Sequence, residues 1–329
     1  MLRLFPALIA LALATPLHAA CEGQDLRATM TAEQSDRLAA RLDGRPYPVG
    51  NHWLAEKAGE RLHLIGTVHI NDPRLSGPVA RLRPLVEEAA LLLLELPERD
   101  RAKMQNLLVT EPGLMLLEGA TLPELLPEDD WQRLAEATSA RGIPGFMAAK
   151  FEPWYLSTIL GLPPCLMVDI QEQNGLDYQL EDAAQAAGTP TAALEPFDSA
   201  IRIFADTPRE EQLHWLLASI NQPDQGEDML ETLLTAYAEE QHAASWLAPM
   251  VLMPPLDGMT QAAMDAEQAD IEQSLLKNRN TAWIPVIEQA LADTDGPVVA
   301  AFGAGHLSGE FGVLNLLAER GFTLTRQPF

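Results

Sequence analysis

Residues 61–97 read RLHLIGTVHINDPRLSGPVARLRPLVEEAALLLLELP, and this stretch decides the fold. An apolar run (Leu62, Leu64, Ile65) ends in Gly66-Thr67-Val68-His69, which reads as a strand delivering a histidine. A loop carrying Asp72, Pro73, Gly77 and Pro78 follows, then a helical segment entered at Pro84, where a missing N–H does no harm. Leu91 to Leu94 are apolar on both faces, as a buried parallel strand should be, and they deliver Glu95. The unit is strand, crossover, strand, so His69 and Glu95 are expected to leave neighbouring strands at one sheet edge. Ligands in open α/β sheets bind outside the carboxyl ends of the strands.

Working outward, the same pattern recurs. Leu166-Met167-Val168 ends in Asp169, Thr191 to Leu194 ends in Glu195, and Pro297 to Phe302 runs into Gly303-Ala304-Gly305-His306. A helix over Leu176–Ala187 stops at Gly188, a favoured residue just past a helix end. Leu26–Leu42 is compatible with a helix, Tyr47–Trp53 with an extended arrival at the sheet, Glu310–Arg320 with a helix and Phe322–Thr325 with a last strand. Strands alternating with helices define an α/β protein with a mainly parallel or mixed sheet flanked by helices. Two long helical stretches punctuated by prolines, residues 98–160 and 201–280, read as insertions forming a cap over one α/β domain of residues 21–329.

The net charge of −25 argues against a general basic surface for nucleic acid or an anionic membrane, while leaving a peptide or cationic partner open. Residues 1–20 read as a signal peptide: Arg3, an apolar run from Leu4 to Ala14, then Pro16 and Ala19-Ala20. His18 stands where a lipoprotein signal needs an apolar residue, and no other segment approaches the roughly 20 apolar residues of a membrane span. The mature chain is expected to be periplasmic or secreted. In that oxidising setting the two cysteines, Cys21 and Cys165, are expected to pair.

Each strand-end residue alone has a bland reading as a loop or capping group. Gly-x-x-His at two strand ends, with carboxylates at three others, is a pattern. The two glycines, Gly66 and Gly303, are read as points where the backbone turns sharply. Two imidazoles and a carboxylate suit zinc, manganese or cobalt, and an ion so held could activate water for attack on a carbonyl. The Gly303-x-Gly305 turn is not a dinucleotide fingerprint, because Ser308 stands where a third glycine belongs.

Gly66-Thr67-Val68-His69 with Glu95, and Gly303-Ala304-Gly305-His306, resembles the TraB/GumN family, which includes the animal Tiki proteases. Cys21-Glu22-Gly23, Gly175-Leu176-Asp177, Leu194-Glu195 and Arg279-Asn280 fit its exported bacterial branch. The resemblance implies a metal-dependent peptidase acting on a peptide or protein, with His69 and His306 as metal ligands. Glu95 is then a third ligand or the general base, Glu195 and Asp169 are supporting carboxylates, and Arg279 neutralises an acid or stabilises an oxyanion. The alternatives of the same fold are a haem-binding protein and a catalytically silent peptide-binding module.

Overall fold

The computed structural model describes residues 21–167, 173–221, 225–255 and 258–329. Six strands form one sheet: β1 (His52–Lys57), β2 (Glu60–Thr67), β3 (Leu91–Leu94), β4 (Thr191–Ala193), β5 (Val298–Gly303) and β6 (Thr323–Arg326). Their order is β4-β3-β5-β2-β1-β6, so the sheet is mixed. β2, β5, β3 and β4 pair in parallel, while β1 runs antiparallel to both β2 and β6.

This order corrects the expected adjacency of His69 and Glu95. β5 lies between β2 and β3, pairing Ile65 with Ala301 on one side and Leu94 with Ala301 on the other. The sequence VVAAFG explains its central place: Val298 to Phe302 are all buried, and small side chains on both faces let helices approach closely. Alternation sends Val299 and Ala301 to one face and Val298, Ala300 and Phe302 to the other. On the first face pack helices Ser76–Glu87, Leu176–Ala187 and Gly226–Ala238, through residues such as Leu82, Leu180 and Leu234. On the second pack helices Asn278–Asp293 and Val313–Glu319, through Trp283, Ile287 and Leu314.

Local chemistry accounts for the remaining departures. β2, the strand that leads to His69, is preceded by β1, and the two are joined by a two-residue turn in which Ala58 (φ 51°) and Gly59 (φ 94°) are both left-handed, the geometry that matches strand twist. The helix of residues 76–87 begins well before Pro84, which lies inside it; Pro84 and Ala80 are both exposed, so water can serve the carbonyl that loses its donor. A capping box at Thr31 and Gln34 starts the first helix at Ala32, and Leu26–Thr29 is a separate 3-10 turn. The last helix is Val313–Glu319, shorter than expected. Leu166 closes a 3-10 turn, Pro164–Leu166, rather than opening a strand. Val168 and Asp169 lie outside the described residues, as does the expected signal peptide.

Both helical stretches expected as insertions are helical, and parts of them share a separate apolar cluster in which Leu134 and Leu156 meet Leu216. Cys21 and Cys165 form a disulfide with Cα atoms 5.4 Å apart, closing 144 residues of sequence. Beside it, the N–H groups of Glu22 and Gln24 donate to the Glu227 and Asp228 carboxylates at the start of helix Gly226–Ala238. Among the described residues no helix is long and apolar enough to cross a membrane.

His242 is fully buried against the segment leading into β1, and its Nε2–H donates to the Tyr47 carbonyl at 2.9 Å, leaving Nδ1 buried without a partner. Burial, the largest influence, pushes its pKa down to about 4. The unfolded chain therefore takes a proton below about pH 6.5 that the folded chain refuses until about pH 4, so stability is lost as pH falls through that window. The loss is at most about 1.4 kcal/mol per pH unit. The stability advantage of the native chain over His242→Gln, read from denaturant midpoints, is expected to shrink between pH 6.5 and 4. A constant difference would mean that the ring is not sealed from solvent.

Candidate functional site

Four strand-end residues converge at the carboxyl edge of β2, β5 and β3. His69 lies two residues past β2, Glu95 one past β3, Glu195 two past β4 and His306 in the 3-10 turn Ala304–His306 that follows β5. Gly303 stands at their centre. A Cβ built on it would lie 3.4 Å from Glu95 Oε1, 3.7 Å from His306 Cδ2 and 3.7 Å from His69 Nε2. The two rings and the carboxylate thus face one point.

Neither glycine of the Gly-x-x-His repeats turns left-handed, and Gly66 serves space instead. Gly303 has φ −49°, and Gly66 is absent from the positive-φ residues. A Cβ at Gly66 would come within 2.5 Å of Leu307 Cδ1. The expectation of sharp turning is replaced by close packing between β2 and the turn that carries His306.

Each imidazole is held at Nδ1. His69 Nδ1 lies 3.1 Å from Asp177 Oδ2, and His306 Nδ1 lies 2.5 Å from Asn280 Oδ1. Asn280 donates its amide to the carbonyls of His306 and Phe311, which sets its oxygen toward the ring and makes Nδ1 the protonated nitrogen of His306. His306 Nε2 then accepts from Arg279 Nη1 at 3.2 Å. Burial keeps His306 neutral, with a pKa pushed down to about 3. Burial would also lower His69, but the Asp177 carboxylate outweighs it and raises the pKa to about 9. The His69 side chain is 59% exposed, so solvent screens part of that attraction; the upward direction rests on the direct contact with Asp177.

Arg279 links the acids. Its Nη2 lies 2.5 Å from Glu95 Oε2 and 2.6 Å from Glu195 Oε1, while Nε donates to Glu195 Oε2 at 3.0 Å. Trp283 Nε1–H donates to the same Glu195 oxygen, and its ring lies beneath the guanidinium at 5.0 Å. Glu95 Oε1 accepts the Gly303 N–H at 2.6 Å. Burial would raise the Glu95 pKa, but the Arg279 guanidinium, His69 and that N–H outweigh it and hold the carboxyl well below the usual carboxylate range. Arg279 follows a π-helical turn, Gln273–Lys277, and its Nη1 also donates to the Leu275 carbonyl there. Such turns are frequent at functional sites.

The donor types suit a borderline divalent ion, since both Nδ1 atoms are engaged and His69 Nε2 borders Gly303, while Arg279 occupies His306 Nε2. The spacing is that of an arginine-bridged cluster: among the described residues no three His, Cys, Asp or Glu side chains stand grouped to hold a metal. Arg279 is the cation on Glu95 and His306. Asp169 lies outside the described residues. Asp177, Asn280 and Trp283 carry parts of the site that strand-end reading did not assign. Asp177 and Asn280 sit within the family-like triplet and pair quoted above, which was the available signal.

An α/β protein with histidines and carboxylates clustered at the carboxyl edge of a mixed sheet is the class these features define. The model of the TraB/PrgY/gumN family matches residues 51–326, and the chain belongs to that family. It is similar to the uncharacterized protein YbaP of Escherichia coli (strain K12), 22% identical over 267 residues covering 79% of this chain and 91% of that protein. The YbaP protein of Shigella flexneri matches with the same identity and coverage.

Gly175 generates a structural test. A Cβ there would fall 2.4 Å from the His69 carbonyl carbon and 2.7 Å from its Cα, and Leu176 N–H donates to the Val68 carbonyl beside it. Gly175→Ala is expected to cost about 1–3 kcal/mol and to shift the His69 ring from Asp177. Thermal unfolding and imidazole NMR shifts check this; an unchanged His69 resonance at native stability would contradict the close approach.

Proposed function

We propose that this protein is a metal-dependent hydrolase of peptide bonds, with His69, His306 and Glu95 as the residues that would hold the ion. The observation that carries this reading is the pair of imidazoles with oxygen-held Nδ1 atoms, facing Glu95 across Gly303. A zinc, manganese or cobalt ion supplies Lewis-acid activation of water and of a carbonyl.

The chain's own residues have separable tasks. Asp177 orients the His69 ring, and Asn280 orients the His306 ring and sets its tautomer. The Gly303 N–H fixes one oxygen of Glu95. A carboxylate whose pKa is held well below the usual range is a weak proton acceptor, which favours Glu95 as a ligand while Arg279 remains on it. Arg279 competes with any added cation for Glu95 and His306. The two-point grip of Glu195, supported by Trp283, would keep its positive charge beside a developing oxyanion. The open groove of about 630 Å³ running past Glu195, Arg279, Ile203 and Pro208 is a suitable bed for an extended peptide. The Cys21–Cys165 bridge supports an exported mature chain.

The test is metal analysis of residues 21–329 purified without added metal, beside His69→Ala and His306→Ala. About one divalent ion per chain is expected, lost in both variants. Chelation is expected to abolish cleavage of a peptide library, and manganese, cobalt or zinc to restore it. Glu95→Gln is expected to lower kcat by about 10²-fold or more with the fold intact. Equal cleavage by chelated or His306→Ala protein would sink the metal mechanism.

A further inference from the structure

A cavity of about 200 Å³ opens beside His69 and Glu95, walled by Leu94, Leu96, Tyr178 and Phe302, with Arg101 at its side. Arg101 is held unusually firmly for a half-used guanidinium. Its Nη1 donates to the Leu96 carbonyl at 2.9 Å and lies 2.7 Å from Glu181 Oε2, and its plane lies over the Tyr178 ring at 4.8 Å. Glu181 is 2% exposed, and its other oxygen accepts the Glu98 N–H at 2.7 Å. That carboxylate is therefore satisfied by one side of the arginine. Nε and Nη2 of Arg101 make no hydrogen bond among the described residues, and neither is a sealed, unpaired atom. By contrast, Arg27, Arg74 and Arg279 each spend all three guanidinium nitrogens on neighbours.

We propose that this cavity is a substrate subsite that receives a carboxylate on the free edge of Arg101. An Nε/Nη2 edge matches a carboxylate with two parallel N–H···O bonds. The other charged groups there are already committed: Asp177 to His69, Glu95 to Arg279 and Gly303, Glu181 to Arg101 and the Glu98 N–H. The unpaired oxygens Asp177 Oδ1 and Thr67 Oγ1 are sealed from solvent and do not meet a ligand. Apolar walls suit the stem of a single residue, and the cavity's size admits little more. The carboxylate is either an acidic side chain or a peptide's own C-terminus. The net charge of −25 repels both at long range, so the preference belongs to this local edge and shows best in about 0.15 M salt, where the screening length is about 8 Å. The inference rests on the site receiving a peptide, and it is tested by binding so that it stands apart from hydrolysis.

The experiment is calorimetric titration of residues 21–329, with chelator present, using three capped tripeptides. One ends in an amidated glutamate, one in alanine with a free carboxyl, and one in an amidated glutamine. One carboxylate peptide is expected to bind about tenfold tighter than the glutamine peptide, and which one it is identifies the source. Arg101→Gln alone would strand a buried Glu181, so two other variants are used. Arg101→Lys retains the ion pair without the fork, and the Arg101→Gln, Glu181→Gln double variant removes both charges. Each is expected to bring the preference within about twofold, with Arg101→Lys melting near the native temperature. Equal binding of all three peptides, absence of binding, or a preference that survives in both variants would overturn the proposal.

Discussion

Two largely buried carboxylates share one guanidinium, and the carboxyl edge of the sheet is arranged around that contact. Glu95 and Glu195 arrive on strands separated by the whole first helical stretch and by helix Leu176–Ala187, and Arg279 arrives on a helix from the opposite face of the sheet. Burying such charges unpaired would cost several kcal/mol each. Arg279 answers this with Nε and Nη2, Trp283 donates to a Glu195 oxygen that Arg279 also holds, and the Gly303 N–H satisfies the Glu95 oxygen that Arg279 leaves free. The ends of β3, β4 and β5 are in that way tied to one helix.

A π-helical turn, Gln273–Lys277, comes just before Arg279, and the Asn278 N–H closes on the Gln273 carbonyl five residues back; the Leu275 carbonyl in that turn accepts from Arg279 Nη1. Asn280 follows immediately and turns to His306, so consecutive residues of one helix serve the acids and the imidazole. Trp283, one turn on, lies against both: its ring centre is 4.3 Å from that of His306, and its N–H is on Glu195. The helix Asn278–Asp293 thereby positions the site while its apolar residues Ile284, Ile287 and Leu291 anchor it to the sheet.

Glycines supply the complementary constraint. Gly66 and Gly175 mark places where a methyl group would meet a packed leucine or backbone, so Leu307 closes on β2 and the start of helix Leu176–Ala187 closes on His69. The disulfide and the Glu227 and Asp228 carboxylates hold the N-terminal segment against helix Gly226–Ala238, whose Tyr237 hydroxyl donates to the Gly66 carbonyl.

What was legible in the sequence was what local pattern controls. The four-leucine run, the alternation of strands and helices, the glycine closing helix Leu176–Ala187 and the strand-end positions of His69, Glu95, Glu195 and His306 follow from periodicity and backbone chemistry acting over a few residues. The Cys21–Cys165 pair was legible because two cysteines allow one intramolecular pairing. Strand order was not, because apolar runs such as Leu91–Leu94 and Val298–Phe302 suit any interior position of a parallel sheet, and only the packing of both faces put β5 between β2 and β3. Nor were Asp177, Asn280 and Trp283 assigned their roles, since each acts through a partner at least 26 residues away or more. Local sequence determined which side chains stand at strand ends, and the family resemblance pointed to Arg279; the tertiary structure alone decided that this arginine bridges Glu95 and Glu195 together, because charge pairing in a buried site depends on distances that no local pattern encodes.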